Sequence, residues 1–296
     1  ATAVYGVRAA NGVVLVTTRK GVASTKPNIE LKMEYGVSQL TRVPKLLDGV
    51  NFMKLYNEAA GYDRYSKDRI EATANGSDPY LYPNVNWFDE IFKDNSQNGI
   101  VSLNVSGGGQ VARYFVSFGV LNEIGNLRNN PDNEYKSNID LKRYNFRTNV
   151  DVSITKSTTL DIEIGGSLID SHHPGIEIET LFDKAMVTNP VNIPIRYPYG
   201  VKEDGSTNYV WAGTSSIRTE NPVERLMGSG ITTTFGNQFM GQGRLTQDLG
   251  NWVKGLKANA AFSFDAYSLT EIKRHKRTSY YVKPRRNAVS EFALLQ

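Results

Sequence analysis

The 296-residue chain contains no cysteine, so disulfides, thiolate nucleophiles and Cys-ligated metals are excluded. Long apolar runs are missing too. The longest aliphatic stretch is Val13 to Val16, whereas a spanning helix needs ~20 consecutive apolar residues. That excludes a helical membrane protein but not a membrane β-barrel, whose strands alternate and keep hydropathy low. Charge of one sign is also scarce. Lys plus Arg is 34 against 30 Asp plus Glu, a net +4 that is too small and too scattered to argue for nucleic acid. Mean hydropathy is −0.40. Aromatics make up 10% of the chain, with 16 Tyr, and this speaks against extended disorder. The residues from Ala1 onward do not read as a basic and apolar leader. The last residues, Glu291 to Gln296, show no turn or cap, and the reading is a piece of a longer polypeptide.

What is present is two-residue periodicity, repeated along the chain. Ile29, Leu31, Met33, Tyr35 and Val37 fall on one face, with Glu30, Lys32, Glu34 and Ser38 on the other. Tyr144, Phe146, Thr148, Val150 and Val152 alternate with Arg143, Asn145, Arg147, Asn149 and Asp151. Leu160, Ile162, Ile164 and Leu168 alternate with Asp161, Glu163 and Ser167. Leu256, Ala258, Ala260, Phe262, Phe264 and Ala266 form a fourth set. Weaker alternation covers 101–105, 114–120 and 235–249. This is the period of a strand, not of a helix. The segments 143–154 and 158–170 match or exceed the ~9–11 residues that cross a bilayer on a tilt.

Connections alternate in length. Gly107 to Gln110, Thr155 to Ser157 and Leu249 to Gly255 are short, while roughly 40–98, 123–142 and 171–232 are long. A soluble half-buried sheet also alternates in side-chain polarity. Long strands combined with a short–long rhythm suit an outer-membrane barrel. Aromatics near strand ends, such as Tyr144, Tyr267 and Trp252, suit interfacial girdles and equally suit ordinary strands. Within the first long connection, Phe52, Leu55, Tyr56 and Ala59 have helical spacing, with Asp48 as N-cap and Gly61 as stop. A second short turn is expected over Trp87 to Phe92.

No catalytic constellation is visible. His172 and His173 are adjacent and would point to opposite sides of a strand, so no metal site is assigned. Gly107-Gly108-Gly109 lacks the Lys-Ser/Thr and helix of a phosphate loop and reads as a hairpin turn. Asp161 and Glu163 share a strand face without a supporting His, and Arg147 with Asp151 suggests polar contacts inside a lumen. Tyr197, Tyr199, Tyr209 and Trp211 crowd a long loop. Flat aromatics with polar tips can stack on sugars or grip a peptide, although packing within the loop accounts for them as well.

The stretch Ala3 to Gly21, with Tyr5-Gly6, Arg8, Asn11-Gly12 and Gly21 in order, resembles the end of the plug domain of TonB-dependent outer-membrane receptors of the SusC/RagA type. Pro44-Lys45-Leu46-Leu47, Leu55-Tyr56-Asn57-Glu58-Ala59, Asn86-Trp87-Phe88, Val105-Ser106-Gly107-Gly108 and Arg143-Tyr144-Asn145-Phe146-Arg147 resemble that family's first barrel segments. The likeness is dense in the first half and fades over 171–232. It implies an all-β fold: part of a ~22-stranded transmembrane antiparallel barrel around a plug. Residues 1–25 would be the end of the plug, and 26–296 the first seven or eight strands with their outer loops. Closure of eight strands alone is not expected, since a narrow lumen has no room for a plug. The run Lys273, Arg274, His275, Lys276, Arg277 reads as a rim rather than a closing strand.

The resemblance further implies a bacterial outer-membrane location, in Gram-negative Bacteroidetes, and import of an oligosaccharide or, less commonly, a peptide. The implied partners are a SusD-like lipoprotein at the mouth and TonB acting on the plug, with no cofactor and no enzymatic step. Other readings of the same residues are a soluble all-β glycan-binding module, an enzyme acting on polysaccharide, and a TonB-dependent signalling receptor.

Overall fold

The alternating segments all become strands in the computed structural model, which describes residues 11–12, 18–129, 135–213, 221–276, 280–282 and 293–295. In chain order, β1 (Ser24–Gln39) leads into helices α1 (Gly49–Ala60), α2 (Lys67–Ala74) and α3 (Trp87–Ile91). Strands β2 (Asn95–Gly108), β3 (Ala112–Ile124), β4 (Asp140–Ser153) and β5 (Thr158–Pro174) follow. Next come α4 (Ile178–Val187), a hairpin of β6 (Arg196–Val201) and β7 (Thr207–Trp211), and α5 (Pro222–Gly228). The long strands β8 (Gly230–Asp248) and β9 (Lys257–His275) precede a small pair, β10 (Tyr280–Val282) and β11 (Ala293–Leu295).

One antiparallel sheet joins the long strands in the order β1-β2-β3-β4-β5-β8-β9. The direction of travel reverses at each step, so the three long connections gather at one end and the three short turns at the other. Cross-strand register keeps one side apolar throughout. Leu31, Leu103, Phe118, Phe146, Gly166, Phe239 and Ala266 are successive partners in one row. Ile29, Val105, Val116, Thr148, Ile164, Gly241 and Phe264 form the next. A one-residue slip anywhere would turn a whole strand over, so this agreement across seven strands fixes the register. Phe146, Phe239 and Phe264 make a ladder with ring centroids 6.0 and 5.7 Å apart, adding cross-strand contact on the same face.

Nothing in the described structure covers that face. Ile29 is 67% exposed, Met33 68% and Phe262 72%. Burying one such side chain is worth roughly 1.5–3 kcal/mol, so a bare face of this extent calls for an apolar medium outside the protein. At 13 to 19 residues the strands are longer than the apolar band needs. Their surplus lies at the long-connection end, where the outward face turns polar with Asp140, Lys142, Asp170 and His172. Residues 271–275, which include the start of the basic run read from sequence as a rim, lie at this long-connection end of the sheet. Those residues continue β9 and pair with Gly230–Thr234, because backbone pairing persists after the side-chain pattern changes.

The long connections fold together over their end of the sheet. Trp87, Phe88, Ile91, Leu181, Ala185, Val223 and Leu226 from α3, α4 and α5 share one core, and Met53, Tyr65 and Val191 make a second. Helix α1 is bounded as its sequence dictates. The Asp48 carboxylate accepts from the Asn51 N–H, and Gly61 ends it at φ 71°, where a side chain would be strained. Its inward anchor is Met53, at 0% exposure, whereas Leu55 and Tyr56 stay largely exposed. Asn221 caps α5, accepting from the Val223 and Glu224 N–H groups while donating to the Ile195 and Ala212 carbonyls.

Candidate functional site

The second face of the sheet is polar. Glu30, Asn104, Ser117, Arg147, Gly165, Met240 and Asp265 occupy successive positions of one row. A trough of about 790 Å³ runs along it, touched by Arg19, Glu30, Lys32, Asn145, Arg147 and Gln238. A smaller cleft of about 270 Å³ continues past Arg147 to Glu163, Gln242 and Asp265. Strand alternation thus sets both signs of charge and several amides on the side opposite the apolar skin. That arrangement can hold a wet, hydrogen-bonding path or a polar filling. It shows no nucleophile poised beside a base among the described residues. Among the described residues no three His, Asp or Glu side chains gather as a metal site.

The chain before β1 lies on this polar face. Asn149, only 3% exposed, donates to Thr18 Oγ1 at 3.1 Å and to the Arg19 carbonyl at 2.6 Å. Lys20 Nζ sits 3.2 Å from Asp151 Oδ1 and 3.1 Å from Asp161 Oδ1. Partial burial pulls the Lys20 pKa down, but the hydrogen bonds to Asp161 and Asp151 outweigh it and hold the ammonium above its usual range. Gly21 has to be glycine, because a Cβ there would run into the backbone of Tyr114. Asp151 therefore takes its partner from the N-terminal segment. Arg147, four residues earlier on the same face, lines the open trough.

Of the other segment residues singled out by sequence, Tyr5, Gly6 and Arg8 lie outside the described residues. Asn11 and Gly12 are exposed, and Gly12 has φ 105°. His172 Nδ1 is 3.2 Å from Thr233 Oγ1, and its Nε2 is 3.6 Å from Asp170.

Tyr197, Tyr199, Tyr209 and Trp211 are brought together on the β6–β7 hairpin, in the cap formed by the long connections. They have different surroundings. Tyr197 is 6% exposed in the main core, and burial pushes its phenol pKa up. Trp211 packs on that core and pairs across the hairpin with Arg196. The Arg196 guanidinium lies over the Tyr209 ring, 4.1 Å from its centroid. Tyr80, whose own pKa is raised first by burial and then by the Tyr209 phenol, adjoins it. Tyr199 is 52% exposed, with its ring 6.0 Å from that of Tyr281. Sequence spacing could find this cluster but could not separate core rings from exposed ones.

No family model matches the chain. Curated relatives do. TonB-dependent receptor P26 of Formosa agariphila is 28% identical over 241 residues, 81% of this chain and 22% of that protein. TonB-dependent receptor P3 of the same organism is 32% identical over 166 residues, 56% of this chain and 14% of that protein. TonB-dependent receptor SusC of Bacteroides thetaiotaomicron is 28% identical over 142 residues, 48% of this chain and 13% of that protein. Among solved structures, the RagAB peptide importer in its open-open state superposes with a TM-score of 0.64 at 20% identity. That match covers 91% of this chain and 31% of the other. The chain is SusC/RagA-like. It spans 13% to 22% of the length of these curated relatives. Its seven-stranded sheet is an open portion of an antiparallel barrel wall, with β1 and β9 at its two edges.

Proposed function

We propose that this chain is part of a TonB-dependent importer in the bacterial outer membrane. Residues 26–296 form one portion of the barrel wall with its outer loops, and residues 1–25 are the end of the plug. The observation that supports this is the bare apolar face shared by seven strands, backed by a polar face on which Thr18–Gly21 is seated. In lipid every backbone group must be bonded, so the edges of β1 and β9 go on to pair with further strands of a closed barrel. A wide barrel leaks unless something fills it, and the filling has to be moved by work done from outside. TonB supplies that work on the plug. Binding and gated movement are the whole mechanism, and no bond is made or broken.

The cargo is an oligosaccharide, with a peptide as the other class. A SusD-like lipoprotein closes the mouth above the cap formed by the long connections. The organisms of the relatives, Formosa and Bacteroides, favour a Gram-negative host among the Bacteroidetes. Cells making the intact receptor are expected to accumulate a labelled glycan or oligopeptide only when TonB is present. Accumulation that is unchanged without TonB would overturn the proposal.

Within the cap, exposed Tyr199 and the Arg196-stacked Tyr209 are the contact candidates, while Tyr197 and Trp211 support them from the core. Tyr199→Ala should weaken cargo capture several-fold with the fold intact, since stacking contacts contribute about 0.5–1.5 kcal/mol. Tyr197→Ala should instead destabilise the cap by ~3–5 kcal/mol, as for a truncated core aromatic. Calorimetry of binding beside limited proteolysis separates the two. Equal effects on capture and folding from both changes would remove the distinction.

A further inference from the structure

We infer that seating of Thr18–Gly21 and pairing of β4 with β5 are coupled through the single ammonium of Lys20. Asp151 and Asp161 are direct cross-strand partners on the polar face. Like charges directly opposite each other destabilise a sheet, and little water reaches these two to screen them. Their side chains are 11% and 22% exposed. Arg113 stands opposite Asp151 on β3, and Arg244 opposite Asp161 on β8. Among the described residues, however, Lys20 is the one cation within 4.0 Å of either carboxylate.

The same wall strand holds the backbone of the segment. Asn149, two residues from Asp151 and on the same face, grips Thr18 and Arg19. Lys20 is therefore positioned by the wall, and it neutralises the wall in return. Lifting the segment leaves an unbridged acid pair between two paired strands. Weakening that pairing loosens the segment by the same free energy, since coupling between two sites is reciprocal. This coupling stands whether or not the segment belongs to a plug. One consequence does rest on the plug reading: Thr18–Gly21 stays seated as an anchor on the wall during transport.

The test is a mutant cycle in the intact receptor in detergent, read by hydrogen–deuterium exchange of the β4 and β5 amides. Lys20→Met should speed that exchange about fivefold, close to 1 kcal/mol. Lys20→Arg should leave it unchanged. Lys20→Met combined with Asp161→Asn should return it to within roughly twofold of the starting protein, because one acid alone has no like charge to face. No change with Lys20→Met, or a double variant worse than the single, overturns the coupling. If Lys20→Met fails to assemble, it is made with both Asp151→Asn and Asp161→Asn. Recovery of assembly then supports the coupling, and continued failure overturns it. TonB-dependent uptake measured on the same variants reports separately on the anchor reading.

Discussion

An arginine at Leu103 is expected to block stable insertion of the receptor, while the same change at Ser102 is tolerated. Leu103 lies in the central row of the apolar face, between Leu31 and Phe118. A charge on the lipid face of a barrel costs about 2–4 kcal/mol at the bilayer midplane and far less near the interfaces. Ser102 is on the polar face beside Lys32 and Gly119, where a long cation can reach water. Heat-modifiable mobility of the receptor in outer-membrane preparations reads the difference. Leu103→Arg should give little folded barrel, and Ser102→Arg close to the normal amount. Equal yields from both would contradict the assignment of the faces.

The second large effect is expected at Asn221. Its side chain is fully buried and serves four backbone groups: two N–H donors at the start of α5 and the carbonyls of Ile195 and Ala212. Asn221→Leu strands all four inside the cap. Each buried unsatisfied group costs ~1–3 kcal/mol, and partial relaxation brings the sum to roughly 3–5 kcal/mol. The sheet does not depend on this residue. Protease should therefore cut within 175–229 much faster in Asn221→Leu, while the strands remain protected. A cap that resists cleavage as before would show that α5 is held by packing of Val223, Leu226 and Met227 alone.

The strands could be read from the sequence because one physical rule, alternation against an apolar medium, acts on all of them. Their outer ends could not. Past the apolar band, Asp140, Lys142, Asp170 and His172 remain in register without an apolar partner set, and only backbone pairing extends the strand. Helix α1 was legible through Asp48 and Gly61, since caps are local chemistry. Helix α4 carries a usable signal, with Ile178, Leu181, Phe182 and Ala185 at helical spacing, inside a long connection whose overall pattern is that of a loop. Asn221-Pro222 was a comparable signal for α5. Residues 1–25 were delimited by family likeness. Residues 18–21 of that stretch lie on the polar face, and Tyr5, Gly6 and Arg8 lie outside the described residues. The meeting of Lys20 with Asp151 and Asp161 spans 131 and 141 residues, and no local pattern encodes a contact at that separation.

Nitroxide labels at Ile162 and Glu163, placed one at a time in the intact receptor in liposomes, test the main point directly. These neighbours on β5 point to opposite faces, Ile162 with the apolar rows and Glu163 with the trough. The label at 162 should relax strongly with oxygen and weakly with a water-soluble nickel complex, and the label at 163 should do the reverse. Both labels meeting water, or the pattern exchanged between them, would contradict a wall whose greasy side chains face lipid.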